Sequence, residues 1–305
     1  MSASTGIDGP PAGARSTAVP AQSLVGGVVV ALSPLVCRLV APNPSPMTGS
    51  GTNSYLVGDP MQGPLVAIDP GPDDEDHLDR LAAAAAGRLE AIAVTHHHPD
   101  HWPGARGLQA RTGAEIVAFG HAEGIDPDRV ARDGDLVAEA APDAGEPWQL
   151  TAVHTPGHAS DHLCFALWPN GWLFSGDHVM DGSTVVIRPP DGDLDDYVEQ
   201  LARLRAMGLS AIAPGHGSVI VDPDTRLDAL LEHRGLRTAQ VRRIVEQGGD
   251  WTASAVAAAA YPGLDERLVD VSAATTWAAL RSLASSGALV ATDVDDPDAP
   301  FRAAG

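Results

Sequence analysis

The sequence predicts an α/β protein carrying a small helical domain at its C-terminal end, and three observations predict it. Short apolar runs alternate with helix-like segments from residue 23 to about 225. Every polar cluster falls just after an apolar run, where loops held by a rigid sheet usually carry function. Beyond about residue 225 the alternation gives way to three helical patterns.

Residues 1–22, which begin "MSASTGIDGPPAGARSTAVP", have no basic region leading into an apolar core; they read as a disordered leader and not as a signal peptide. Residues 25–41 read as one or two strands ahead of a Pro-rich loop. "TGSGTNSYLVG" (48–58) is Gly-rich and then β-like, and "PLVAIDPG" (64–71) is an apolar run closed by a turn. "DDEDHLDRLAAAAAGR" (73–88) sets acids in the first turn ahead of an Ala/Leu body, the order of a capped helix. "EAIAVTHHH" (90–98) is a strand running into a loop, "WPGARGLQARTG" (102–113) a helix and "AEIVAFG" (114–120) a strand. "WQLTAVHTPG" (148–157) is a strand into a loop, and "HLCFALWPNGWLFSGD" (162–177) a hairpin turning at Pro169, Asn170 and Gly171. A helix at 193–208 and a strand into a loop at 210–217 complete a main domain spanning 23–225. Residues 226–305 read as a long helix, a short one, a third at 269–288 and a final strand, "LVATD".

With 305 residues, 44% of them hydrophobic, the chain has the apolar content for a sizeable core. Its two cysteines, Cys37 and Cys164, supply neither a disulfide framework nor a paired-thiolate metal site. There is no run of about 20 apolar residues. The expectation is a cytoplasmic protein with no membrane span. Lys+Arg number 19, all of them arginine, against 40 acids, for a formal net charge of −21. Such acidity repels polyanions and argues against sequence-independent nucleic-acid binding.

Four strand ends hold candidate metal ligands: His96, His98, Asp100 and His101 in "THHHPDH" (95–101), His158 in "HTPGH", Asp177 in "SGDH" and His216 in "APGHG". Imidazole and carboxylate without thiolate suit zinc, manganese or iron. Residues two apart on an extended segment face the same way, so His96 and His98 can grip one ion while His97 points elsewhere. Asp100 and His101 follow the bend at Pro99 and can serve a second ion. A lone loop histidine is usually only solvated, but several loops converging on this pattern call for a metal. His178, next to Asp177, is a candidate general acid or substrate contact, with packing beside the site as the alternative. His121, His162 and Tyr197 have ordinary structural explanations. The long polar segment 176–193 is expected to line a substrate pocket.

These motifs, in this order and spread over about 125 residues, resemble those of the metallo-β-lactamase-fold hydrolases; "GTNSYLVG" (51–58) and "AIDPGP" (67–72) extend the likeness across the main domain. The resemblance implies an αββα sandwich with a dinuclear site at one sheet edge. It implies two Zn2+ per chain, with iron or manganese as alternatives. His96, His98 and His158 would hold one ion, Asp100, His101 and His216 the other, and Asp177 would bridge them. A bound cation lowers the pKa of water to about 7, so the expected nucleophile is a bridging hydroxide, with Asp100 orienting or deprotonating the attacking water.

The C-terminal pattern resembles the small winged-helix domain of one subgroup, which includes a mitochondrial endoribonuclease and fungal polyketide-processing thioesterases. Yet residues 226–305 carry eight arginines against eleven acids, and the expected wing, "DVDDPDAP" (293–300), is acidic. That domain is therefore expected to wall the active-site cleft or to form a homodimer surface, and not to hold DNA or RNA. The functional expectation is a dinuclear zinc hydrolase of a small-molecule ester, thioester or similar acyl bond. A metal-dependent endoribonuclease or phosphodiesterase is the alternative, and a metal-binding winged-helix regulator without catalysis is the third reading.

Overall fold

The computed structural model describes residues 24–120, 124–141 and 146–304. The leader at 1–22 and His121 lie outside the described residues. Two compact units result. The first comprises the described residues up to Thr155 with Asp161–Ser183 and Leu204–Arg226, and the second comprises Pro156–Ser160, Thr184–Arg203 and the chain from Leu227 onward.

The first unit holds two sheets. Strands β1 (Val30–Ser33), β2 (Val36–Val40), β3 (Asn53–Val57), β4 (Leu65–Ile68), β5 (Leu89–Ala93), β6 (Glu115–Ala118) and β7 (Arg129–Val130) lie in sequential order in a seven-stranded sheet. It is antiparallel from β1 to β4 and parallel from β4 to β7. Helix α1 (Glu75–Ala85) connects β4 to β5, and α2 (Gly104–Thr112) connects β5 to β6. Asp74 caps α1 by accepting from the His77 amide, with Glu75 and Asp76 in the first turn as the sequence led one to expect. The second sheet runs β12 (Ala211–Pro214), β11 (Trp172–Gly176), β10 (Leu163–Trp168), β9 (Trp148–His154), β8 (Leu136–Ala140), with only β11 and β12 parallel.

Alternation along the strands sorts the core into two layers. In β4, Val66 and Ile68 join Tyr55, Phe165, Phe174 and Trp148 in the core that both sheets share. Leu65 and Ala67 face the other way, with Leu78 and Leu81 of α1 and Leu108 of α2. The start of β3 is tied to the end of β12: Asn53 donates its side-chain amide to the Pro214 and Gly217 carbonyls at 2.9 Å each, and the Tyr55 hydroxyl donates to Pro214 at 2.7 Å. These bonds fix where the loop after β12 emerges.

The second unit contains α3 (Leu194–Arg205) up to Arg203, most of α4 (Pro223–Val245), α5 (Ala253–Ala260), a 3-10 turn at Glu266–Leu268, α6 (Val269–Ser285) and the antiparallel hairpin β13 (Leu289–Ala291) with β14 (Phe301–Ala303). Where the sequence predicts one final strand, two form. Among the described residues no helix is long and apolar enough to cross a membrane.

Candidate metal centre

The centre grows from the ends of β4, β5, β9, β11 and β12. After β5 the chain leaves the sheet and turns at Pro99 and Asp100, closed by the His101 amide on the His98 carbonyl at 3.0 Å. Gly71, just past β4, donates its amide to His101 and accepts from the Gly104 amide, both at 2.9 Å, so the turn is clamped where α2 begins.

Three groups of donor atoms occur among the described residues, the third being His97, His98 and Asp191; the other two hold the residues that the sequence marks. His96, His98 and His158 each offer one atom, and those atoms lie within 4.8 Å of one another; Asp100, His101, Asp177 and His216 do likewise. All seven residues that the sequence marks as ligand candidates fall in these two groups. His97 is in neither of the groups that hold the marked residues; its Nδ1 lies 2.9 Å from Asp161.

Hydrogen bonds prepare the imidazoles for a cation. A neutral imidazole has one N–H and one lone pair, and whichever nitrogen donates leaves the other for a metal. His158 donates Nδ1–H to the Val186 carbonyl at 2.7 Å, and His216 donates Nδ1–H to the Gly51 carbonyl at 3.3 Å. A carbonyl only accepts, so the lone pair of each ring is on Nε2. In His101, Nδ1 lies 2.8 Å from a carboxylate oxygen of Asp69, while among the described residues buried Nε2 has no hydrogen-bond partner and faces Asp177 at 3.4 Å and Asp100 at 3.6 Å. In His96, Nδ1 lies 3.0 Å from the Thr95 hydroxyl, which itself donates to Asp69, and Nε2 faces Nδ1 of His98 at 2.9 Å. The donor set fits a metal.

Charge gives the same answer. Burial would lower the His101 imidazole, but the carboxylates of Asp177 and Asp69 outweigh it and hold the group well above the usual range. Burial works on His216 in the same direction and is also outweighed, by Asp100 and Asp177, which push it up to about 9. Burial would raise the Asp177 carboxyl, yet His101 and His216 hold it well below the carboxylate range. Asp100 is lowered too, against its burial, by the hydrogen bond from His216. The carboxylates here demand positive charge.

Asp69 stands in "AIDPGP" (67–72), where nothing local in the sequence gives it a role. It is buried, with a positive φ of 49°, and accepts from the Thr95 amide, the Thr95 hydroxyl and His101, each at 2.8 Å. An acid closing a buried apolar strand, before Pro-Gly, was the available signal. His162 is likewise structural and important: Nε2 accepts from the Asp177 amide at 3.2 Å and Nδ1 meets the Thr155 hydroxyl at 2.9 Å. His178 is fully buried, with its ring centroid 5.7 Å from that of His162. Substrate does not reach a side chain so enclosed. Tyr197 is also fully buried, beneath the Arg234 guanidinium.

Clustered imidazoles and carboxylates at the strand ends of two stacked sheets define a metal-dependent hydrolase. The chain belongs to the Metallo-beta-lactamase superfamily, whose sequence profile matches residues 47–216. It is 30% identical over 237 residues to a Beta-lactamase-like protein 2 homolog of Drosophila melanogaster, covering 72% of this chain and 76% of that one. It is 31% identical over 219 residues to an atrochrysone carboxyl ACP thioesterase of Aspergillus chevalieri, covering 70% and 66%. In fold it is similar to a beta-lactamase domain protein from Burkholderia ambifaria, with a TM-score of 0.75 at 21% identity over 93% of this chain and 96% of that one.

Proposed function

We propose that the protein is a dinuclear zinc hydrolase of small acyl substrates, esters or thioesters. His96, His98 and His158 would hold one ion, and Asp100, His101, Asp177 and His216 the other. The observation that carries this reading is the prepared donor set: Nδ1 protons committed to oxygen acceptors and carboxylates that demand positive charge. Nitrogen and oxygen donors without thiolate favour zinc first, iron or manganese next. The acyl preference is supported by the relative named as an acyl-carrier thioesterase. Metal ions bound there supply Lewis acidity and an acidified water.

The residues of the chain do the rest. Asp100 is the most exposed of its group, at 27% against 0% for His101, 10% for Asp177 and 6% for His216. One of its oxygens faces His216 at 3.1 Å, which leaves the other to orient the attacking water and take its proton. His178, enclosed beside His162, acts as a positioning residue.

The helices and hairpin of the second unit fit a winged-helix-like domain, with Trp251 and Phe301 exchanging backbone hydrogen bonds as a third strand would. Its acidic 293–300 loop joins β13 to β14, where a nucleic-acid-binding wing needs positive charge. The acidic charge supports a small-molecule substrate, and the sparing use of cysteine supports a cytoplasmic setting.

The test is turnover of aryl esters and acyl thioesters by zinc-loaded protein, with Asp177→Ala as the control. Zinc-dependent turnover lost in the variant is expected. Cleavage of single-stranded RNA or a phosphodiester, with no acyl substrate turned over, would overturn the reading.

A further inference from the structure

The second unit contains a half-open cavity of about 260 Å³, close to the lower end of the roughly 300–1,000 Å³ of small-molecule pockets. Its walls are mainly apolar, with Val241, Leu264, Leu268 and Val271 from α4 and the segments that follow it, and Val185 and Val186 from the polar segment expected to line a pocket. Arg234 and Arg237 line it too, one turn apart on α4. Among the described residues no aspartate or glutamate lines it, although acids outnumber bases 40 to 19 in the chain.

Arg234 is only 4% exposed. One of its terminal nitrogens donates to the Val185 carbonyl at 2.6 Å, and its guanidinium sits 5.0 Å from the Tyr197 ring centre. Its Nε is buried without a hydrogen-bond partner among the described residues. Arg237 donates to the Gln240 side chain at 2.8 Å and lies 5.2 Å from the Tyr261 ring centre. Neither guanidinium has a carboxylate partner among the described residues. Burying such a charge without a counter-ion is costly, and aromatic faces offset only part of that cost. A guanidinium is a fork matched to carboxylate or phosphate.

We propose that this cavity binds an amphipathic organic anion, its carboxylate or phosphate on Arg234 and Arg237 and its apolar body on the aliphatic walls. The site is independent of the acyl-hydrolase reading, because it concerns binding and is read out without turnover.

The test is calorimetric titration of the zinc-loaded full chain with octanoate, octyl phosphate and 1-octanol. Both anions should bind about tenfold more tightly than the alcohol, the worth of one charge-assisted contact; the stronger of the two identifies the head group. Arg237→Met keeps the stem against Tyr261 but removes the charge, and should bring both anions close to the alcohol. Ala279→Leu fills the cavity from α6 and should weaken all three probes. Equal binding of anions and alcohol, or no anion binding, would overturn the proposal. So would anion binding unchanged in both variants, which would put the anion on the metal centre instead.

Discussion

Asp69→Asn changes one atom and forces a choice on the metal centre. In the native protein one carboxylate oxygen accepts from the Thr95 amide, and the other accepts from both the Thr95 hydroxyl and His101 Nδ1. If the asparagine keeps its oxygen on the Thr95 amide, its NH2 must donate toward His101 and Thr95. His101 Nδ1 then has to accept, its proton moves to Nε2, and the atom facing Asp100 and Asp177 loses its lone pair. Thr95 turns its own hydroxyl proton toward His96 Nδ1, so the same inversion reaches the other donor group. Removing such an orienting partner typically weakens metal binding about 10- to 100-fold, or about 1.4 to 2.7 kcal/mol. If the asparagine flips, the tautomers survive but the Thr95 amide meets another donor, at about 1–3 kcal/mol of fold stability. Zinc affinity by competition with a chromophoric chelator reads the first outcome, and urea unfolding of the chelated protein reads the second. A variant unchanged in both would refute the role given to Asp69.

Two further outcomes test the division of labour and the buried charge states. His97→Ala should keep the zinc content of the native protein, whereas His98→Ala should lose metal from the first group; elemental analysis decides, and equal loss from both would refute the division. His77 is buried against the Ser54 hydroxyl at 2.9 Å, and burial pushes its imidazole down to about 4. The unfolded chain, with an ordinary value near 6.5, binds more protons between those limits. The contribution is therefore intact above pH 6.5 and lost as pH falls toward 4, by about 2 kcal/mol between pH 7 and pH 5. His77→Gln should show a shallower loss in urea unfolding across that interval, and parallel pH profiles for the two proteins would contradict it.

The candidate ligands were legible because each sits in a short local pattern at a strand end; extended geometry accounts for His96 and His98 sharing a group, but His97 shares another with His98 and Asp191. Asp69 was not legible in the same way. Its partners are 26 and 32 residues away, and they meet it only because β4 and β5 pair in parallel with Ile68 opposite Ala93. Strands β7 and β8 escaped the sequence reading because one is two residues long and the other mixes buried and exposed positions without regular alternation. Strand β14 is three residues beyond an acidic loop, too short for a period to register. The arginines of the α4 cavity carry no local signal in a helix with five arginines; only the burial of Arg234 and the lack of acids around the cavity among the described residues set them apart.

The motif glycines let the backbone approach the donors closely. A Cβ on Gly215 would come within 2.7 Å of the Asp177 carboxylate and 2.8 Å of the His101 ring. On Gly176, whose φ is 44°, it would meet the Thr95 hydroxyl at 2.7 Å and His162 Nε2 at 2.8 Å. Each contact falls on a group that either faces the cation site or orients one that does. The backbone of "SGD" and "PGHG" is therefore packed against the donors themselves, with no room for a side chain between them. Such packing fixes the donors before any ion arrives, so affinity depends on the shell behind the ligands as much as on the ligands.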